Sequence, residues 1–243
     1  MREITILEKI YRNHRDAKRS LMKILDDLLE IDARVTSVST TTRQWAKITL
    51  EGPDEEAAEK YLESQYGRTC TLREIGEGDI RRGKITDLGR IGYGVYVDIG
   101  VLDGEGRPID ALLPSFALRK QMGVKGSISV RRLSKSLGLT DYLPLDIRIL
   151  KIDREKEEIE ARLTNAQARH LGRGRHRFYV CGETRRKIKN ALQRTGNSPK
   201  IVRIRRLGLL ESEVQCSKEV DPLELVRQIG PLINAQITVP RGL

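Results

Sequence analysis

Residues 78–100 read GDIRRGKITDLGRIGYGVYVDIG, and this stretch decides the fold. Apolar residues alternate on both sides of a glycine-rich turn, with Ile80 and Ile85 before it and Val95 and Val97 after it. Such alternation predicts two antiparallel strands. The glycines in and beside the turn allow close backbone approach and strong strand curvature, which the corners of a small closed barrel require.

The same stretch carries aromatic and basic side chains, which are the residue types that bind RNA in small barrels. Exposed aromatic rings stack on unpaired bases while nearby cations follow the phosphates. Tyr93 and Tyr96 are the predicted stacking residues, although a spacing of three puts them on opposite faces of a regular strand, and Tyr96 has a core position as its alternative. The predicted phosphate contacts in this stretch are Arg81, Arg82, Lys84 and Arg90.

The segment 93–97 (YGVYV), preceded by 83–85 (GKI), resembles the first two strands of the S-one RNA-binding domain. The likeness continues through 110–115 (DALLPS) and 146–163, and so covers 76–165. It implies an OB-type β-barrel that binds RNA, with Tyr93 on its binding face and Tyr96 brought beside it by a distorted backbone. Two departures stand out: Pro114 replaces a histidine that many members use to hold RNA, and 119–142 is longer than the usual connection.

Taken whole, the chain also resembles a family of archaeal proteins defined by that barrel and not by an activity. This resemblance implies a role in archaeal translation or RNA processing. It brings no catalytic or binding residues with it.

The flanking regions predict an α+β multidomain protein. Residues 1–75 follow the strand and helix order βαββαβ of a ferredoxin-like domain, and 177–243 repeat that order as a basic domain. The expected N-terminal elements are strands at 3–10, 33–42, 44–50 and 69–74, with helices at 16–28 and 55–66. The expected C-terminal elements are strands at 178–181, 200–206, 209–216 and 236–239, with helices at 183–194 and 222–233. Residues 76–78 are expected to be a hinge, and 166–176 a basic linker.

Positive charge is concentrated in the last third of the chain. The net charge of +11 divides into −1 for 1–76, +2 for 77–165 and +10 for 166–243. A localised basic field favours a polyanion partner, because phosphate neutralisation supplies most non-specific nucleic-acid affinity. Further predicted RNA contacts lie in three places. Arg131 and Arg132 follow a GxxG turn at 123–126 and a predicted strand at 127–130. Arg173 and Arg175 lie in the linker, and the last domain contributes Arg185, Arg186, Lys189, Arg203 and Arg205. A solvated surface is the alternative for each.

Known catalytic and cofactor motifs are missing from the sequence. It has no GxxxxGK[ST], no HExxH and no paired-cysteine metal site, so neither a cofactor nor a metal is expected. The N-terminus is charged and no long apolar run occurs, so a cytoplasmic protein without membrane contact is predicted. The leading hypothesis is a non-enzymatic RNA-binding protein. The alternatives are a protein-docking subunit of a ribosome, exosome or RNA polymerase assembly, and an RNA-directed enzyme using His170 and His176.

Overall fold

The computed structural model describes residues 1–12, 14–28, 31–174 and 176–242, without the side chains of 23–28. The predicted residue Arg175 therefore lies outside the described residues. Among the described residues, no helix has both the length and the apolar character needed to cross a membrane.

The N-terminal region is a three-stranded antiparallel sheet covered by two helices. Strand β3 lies between β1 and β2, and Ile6, Ile48, Leu50 and Leu62 are fully buried between sheet and helices. The elements are β1 (Arg2–Lys9), α1 (His14–Leu28), β2 (Arg34–Thr40), β3 (Trp45–Glu51) and α2 (Glu55–Tyr66). Helix α2 ends where Gly67 adopts a positive φ of 71°, a conformation that glycine reaches without strain.

The strand predicted at 69–74 does not join this sheet. Among the described residues, an isolated bridge between Ile6 and Arg68 is all that continues the N-terminal pairing. The next residues form β4 (Cys70–Thr71), which pairs in parallel with β6 (Gly94–Leu102) of the following region. The chain then turns at once, because the Glu74 carboxylate accepts hydrogen bonds from the backbone and side chain of Thr71.

The central region is a closed five-stranded barrel, as residues 78–100 predict. Each strand pairs with two others in the cyclic order β5-β6-β7-β9-β8. Besides β6, the strands are β5 (Ile80–Thr86), β7 (Pro108–Pro114), β8 (Pro144–Asp153) and β9 (Glu158–Leu163). A Cβ at Gly83 or Gly94 would lie within 2.7 Å of a carbonyl oxygen of the neighbouring strand, so both positions need glycine. Gly89 and Gly92, in contrast, face open space.

Two helices occupy the long connection between β7 and β8. They are α3 (Ser115–Gln121) and α4 (Val130–Leu137). The strand predicted at 127–130 is wrong, because the Ser129 hydroxyl accepts the Arg132 N–H and starts α4, which buries Val130, Leu133 and Leu137 on one face. The GxxG turn at 123–126 therefore has a helix on each side. The strands beyond those helices belong to the barrel and do not pair with each other in the described part of the chain.

The segment predicted as a linker at 166–176 is mostly a helix, α5 (Asn165–Gly172). The Thr164 hydroxyl accepts the Gln167 N–H at its start, and Leu171 is buried in the barrel's apolar core. This packing fixes α5 on the barrel, so the prediction of a linker is corrected here.

The C-terminal region is a four-stranded antiparallel sheet with the order β11-β12-β10-β13. Its elements are β10 (Arg177–Cys181), α6 (Arg185–Arg194), β11 (Ile201–Arg206), β12 (Glu211–Cys216), α7 (Pro222–Ile229) and β13 (Gln236–Thr238). Phe178 and Val214 of the sheet pack with Ile188 and Leu225 of the helices. The Asp221 carboxylate accepts the Leu223 N–H and so caps α7.

The three regions share buried contacts. Leu209 and Leu210, which precede β12, pack in the N-terminal core, while Tyr179 of β10 packs in the barrel core. The rings of Tyr11 and Tyr142 stack with centroids 3.7 Å apart across the N-terminal region and the barrel. The hinge predicted at 76–78 is likewise fixed, since the Gly78 N–H donates to the Ile149 carbonyl at 2.9 Å.

A buried lysine joins all three regions. Lys84 of the barrel is 2% exposed, and its Nζ lies 2.9 Å from Glu8 Oε2 of β1 and 2.6 Å from Glu211 Oε2 of β12. Tyr11 donates to the other oxygen of Glu211 at 2.7 Å. Burial alone would lower the pKa of Lys84, but the two carboxylates outweigh it and raise that pKa. Lys84 is therefore an internal cation, and its predicted contact with RNA phosphate is wrong because solvent does not reach it.

Candidate nucleic-acid interface

A basic groove runs between α5, the barrel and the C-terminal sheet. Its main cavity has a volume of about 520 Å³ and is lined by Asp146, Ala166, Gln167, Arg169, His170, Arg173 and Arg205. Two smaller cavities of about 330 and 50 Å³ also reach His170 and add Arg82, His176, Arg177, Glu213 and Lys218. We call these twelve residues the His170 groove.

Helix α5 sets the geometry of the groove. The exposed arginines Arg169, in the helix, and Arg173, at its C-terminal cap, are four positions apart and so lie one turn apart on the same side. Leu171 is buried against the barrel on the opposite side. Burial of this one apolar side chain therefore turns both guanidinium groups toward the cavity.

The floor of the groove is a fixed cluster around one carboxylate. Glu213 Oε2 lies 2.5 Å from His170 Nε2, 3.3 Å from an Arg205 nitrogen and 3.5 Å from an Arg177 nitrogen. Arg177 also donates to the backbone carbonyls of His170 and Leu171. Burial would raise the pKa of Glu213, but His170, Arg205 and Arg177 outweigh it and lower that pKa. The ionised Glu213 carboxylate thus holds the side chains of the floor in place.

Cations outnumber carboxylates in the groove. Of the residues that the structure describes, six arginines and lysines line the three cavities, against the two carboxylates Asp146 and Glu213. Arg169, Arg173 and Lys218 are exposed and have no ion pair within the described part of the chain. An anion entering the groove therefore meets three cations that no internal carboxylate neutralises.

A second cleft holds the predicted stacking residues. It has a volume of about 770 Å³ and lies on the barrel surface beside β6, β7 and β9. The hydroxyls of Tyr93 and Tyr96 are 3.1 Å apart, because Tyr93 precedes β6 and its side chain returns to the face that Tyr96 occupies. Tyr96 is half-buried and not a core residue. This hydrogen bond, with burial second, raises the pKa of Tyr96 to about 12.

The lining of that second cleft is mostly acidic, with six carboxylates and three cations. Its charged residues are Asp87, Arg90, Asp103, Arg107, Asp110, Lys156, Glu157, Glu158 and Glu160. Arg90 is already paired with Asp87 at 3.1 Å. The two tyrosines and Arg90 therefore lie together but in surroundings that repel phosphate.

Comparison with known families identifies the chain. Sequence profiles of the DUF2110 N-terminal, central and C-terminal domains match residues 3–71, 75–173 and 175–240. The chain belongs to the DUF2110 family. A search of curated proteins finds no match.

Solved structures resemble parts of this DUF2110 protein only distantly. An uncharacterized protein from Methanocaldococcus jannaschii is 15% identical, covers 37% of this chain and 95% of its own, and has a TM-score of 0.25. GSP13 from Bacillus subtilis is 19% identical over 40% of this chain and 60% of its own, with a TM-score of 0.24. A chain in the a/eIF2alpha-aDim2p-rRNA complex from Pyrococcus horikoshii is 13% identical over 50% of this chain and 58% of its own, with a TM-score of 0.27. Likeness at this level assigns no function to the DUF2110 chain.

The structure brings only part of the predicted set together. Arg82, Arg173 and Arg205 line the His170 groove, and Arg82 also contacts Asp146 at 3.4 Å. Arg90 lines the second cleft and Lys84 is buried. Seven further described cations of the set line neither the His170 groove nor the second cleft: Arg81, Arg131, Arg132, Arg185, Arg186, Lys189 and Arg203. Arg203 and Arg205 lie opposite Gln215 and Glu213 in the sheet, and only Arg205 reaches the groove.

The sequence-based set omits Arg169 and Lys218. A helical interpretation of 165–172 would have indicated Arg169, because it then shares a face with Arg173. Lys218 follows β12 and reaches the groove only through the fold, so no local pattern marks it. Among the described residues, no group of three His, Cys, Asp or Glu side chains is placed to hold a metal ion.

Proposed function

We propose that this DUF2110 protein is a non-enzymatic RNA-binding protein whose RNA site is the His170 groove. The observation that carries the proposal is the charge of the groove, six arginines and lysines against two carboxylates, with Arg169, Arg173 and Lys218 unpaired among the described residues. Arginine and lysine bind phosphate oxygens through charge-assisted hydrogen bonds.

The surroundings of the groove favour a single strand. A five-stranded barrel beside a positively charged channel is an arrangement that binds single-stranded nucleic acid. Among the described residues, Tyr179 is the one Phe, Tyr or Trp side chain in the groove walls, and at 1% exposure it cannot stack on a base. We therefore expect contacts to the RNA backbone and little preference among base sequences.

The resemblance to archaeal S-one-type proteins favours translation or RNA processing as the context of this binding. Within the same proposal, both end regions are interpreted as ferredoxin-like domains. The strand order of the C-terminal sheet supports this interpretation more than the N-terminal sheet does, since the N-terminal fourth strand pairs with the barrel.

The proposal is tested by fluorescence anisotropy with a labelled, unstructured RNA of about 12 nucleotides at ~50 mM salt. The variant Arg169→Gln/Arg173→Gln/Lys218→Gln removes the unpaired cations and is expected to weaken binding roughly tenfold or more. Its matched control, Arg19→Gln/Lys151→Gln/Arg227→Gln, removes the same charge from exposed positions outside the groove. If both variants weakened RNA binding equally, the effect would come from net charge in general and not from the groove, and this would contradict the proposal.

A further inference from the structure

The cleft beside Tyr93 and Tyr96, which we call the tyrosine cleft, has a net charge opposite in sign to that of the whole chain. The whole chain carries a net charge of +11, yet this cleft is lined by six carboxylates and three cations. Tyr93 is 57% exposed at its edge. An exposed aromatic ring in an acidic cavity of about 770 Å³ needs an explanation that RNA binding does not supply.

Two of the three cations in the cleft are already engaged. Arg90 pairs with Asp87, and Arg107 pairs with Asp103 and lies 3.7 Å from Glu157. Two carboxylates of β9 that line the cleft, Glu158 and Glu160, have no ion pair in the described part of the chain. The third cation, Lys156, also has no ion pair in that part of the chain, so the unpaired charges of the cleft are the two carboxylates Glu158 and Glu160 against one lysine, and their balance is negative.

A neutral aromatic ring beside free carboxylates is a good receptor for guanidinium groups. Arginine stacks on the face of tyrosine and forms bidentate hydrogen bonds with carboxylates, so one side chain can use both features of the cleft. The hydrogen bond between the Tyr93 and Tyr96 hydroxyls holds the two side chains together and raises the pKa of Tyr96 to about 12.

We propose that the tyrosine cleft binds an arginine-rich segment of a partner protein. This proposal goes beyond RNA binding and does not depend on it. RNA is disfavoured here because its phosphates would face Glu158 and Glu160, whereas a basic segment is attracted to them. The His170 groove repels the same basic segment, so the two surfaces select ligands of opposite charge.

The test uses a labelled peptide of sequence RGGRGGRGGR, measured by fluorescence anisotropy against the full chain at ~100 mM salt. The wild-type chain is expected to bind it. The variant Glu158→Gln/Glu160→Gln is expected to weaken binding roughly tenfold, and Tyr93→Leu roughly threefold. Neither variant should change the melting temperature by more than ~2 °C, since Glu158 and Tyr93 are exposed, Glu160 is half-exposed, and neither carboxylate has an ion pair in the described part of the chain.

Matched controls separate the cleft from general electrostatics. The variant Glu219→Gln/Glu224→Gln removes the same charge from exposed C-terminal positions and should leave peptide affinity unchanged. Peptide binding that is absent in the wild type, or equal in both glutamine variants, overturns the proposal. Loss of RNA affinity in Tyr93→Leu with unchanged peptide affinity also overturns it and makes the cleft an RNA site.

Discussion

Replacing Lys84 by methionine removes the cation between Glu8 and Glu211 while keeping the length of an unbranched side chain. Both carboxylates are buried, with Glu211 at 0% exposure, so neither gains water as a substitute partner. Removing one partner of a buried ion pair costs about 3–5 kcal/mol, because the remaining charge is left uncompensated. For a chain of this length each kcal/mol lowers the melting temperature by about 2–4 °C. We therefore expect a decrease of roughly 10 °C.

Thermal unfolding followed by circular dichroism measures this change. Lys151→Met is the matched control, since Lys151 lies exposed on a strand of the same barrel and should shift the melting temperature by no more than ~2 °C. Adding Glu8→Gln and Glu211→Gln to Lys84→Met should restore part of the stability, because the uncompensated charges are then removed. If Lys84→Met and Lys151→Met had the same melting temperature, the buried ion-pair cluster of Lys84, Glu8 and Glu211 would be refuted.

Three further outcomes follow from the same structure. Gly83→Ala should lower the free energy of unfolding by ~1–3 kcal/mol in urea titrations, because its Cβ would lie 2.5 Å from a carbonyl oxygen, whereas Gly92→Ala should be neutral. Leu209→Ala should cost about 2–5 kcal/mol in the same assay, since it leaves a cavity in the N-terminal core. Although burial opposes it, His170 and two arginines hold the pKa of Glu213 below its ordinary value of 4.5. Ionised Glu213 therefore stabilises the fold above about that pH, and this stability is lost as the pH falls further. Urea midpoints between about pH 7 and 3 should decline less steeply for Glu213→Gln, and an unchanged slope would contradict this assignment.

The barrel could be predicted from sequence because its signal is local. Alternation around a glycine-rich turn fixes two paired strands, and the observed register places Ile85 opposite Val97. The same glycine-rich pattern also predicts the close backbone approach between strands at Gly94. Helix α4 was missed because β-branched residues around Ser129 suggest a strand until the serine is recognised as a cap.

The site was harder to predict because its charges pair over long distances in the chain. Lys84 has the sequence environment of a surface cation, yet its partners lie 76 and 127 residues away. The net charge of +2 for 77–165 also does not show that acidic side chains of this region gather in one cleft while basic side chains lie elsewhere. Glu158 and Tyr93 become neighbours only when the barrel closes, so composition cannot reveal which residues share a surface.

The salt dependence of RNA binding tests the central proposal most directly. For a single strand, the logarithm of the binding constant falls against the logarithm of salt concentration with a slope of about −0.7 per neutralised phosphate. Five exposed or half-exposed cations of the groove, among them Arg82 and Arg205, predict a slope of about −3.5 for the wild type. Arg169→Gln/Arg173→Gln/Lys218→Gln should reduce its magnitude by about 2. An unchanged slope in that variant would show that RNA is bound elsewhere and would contradict the account.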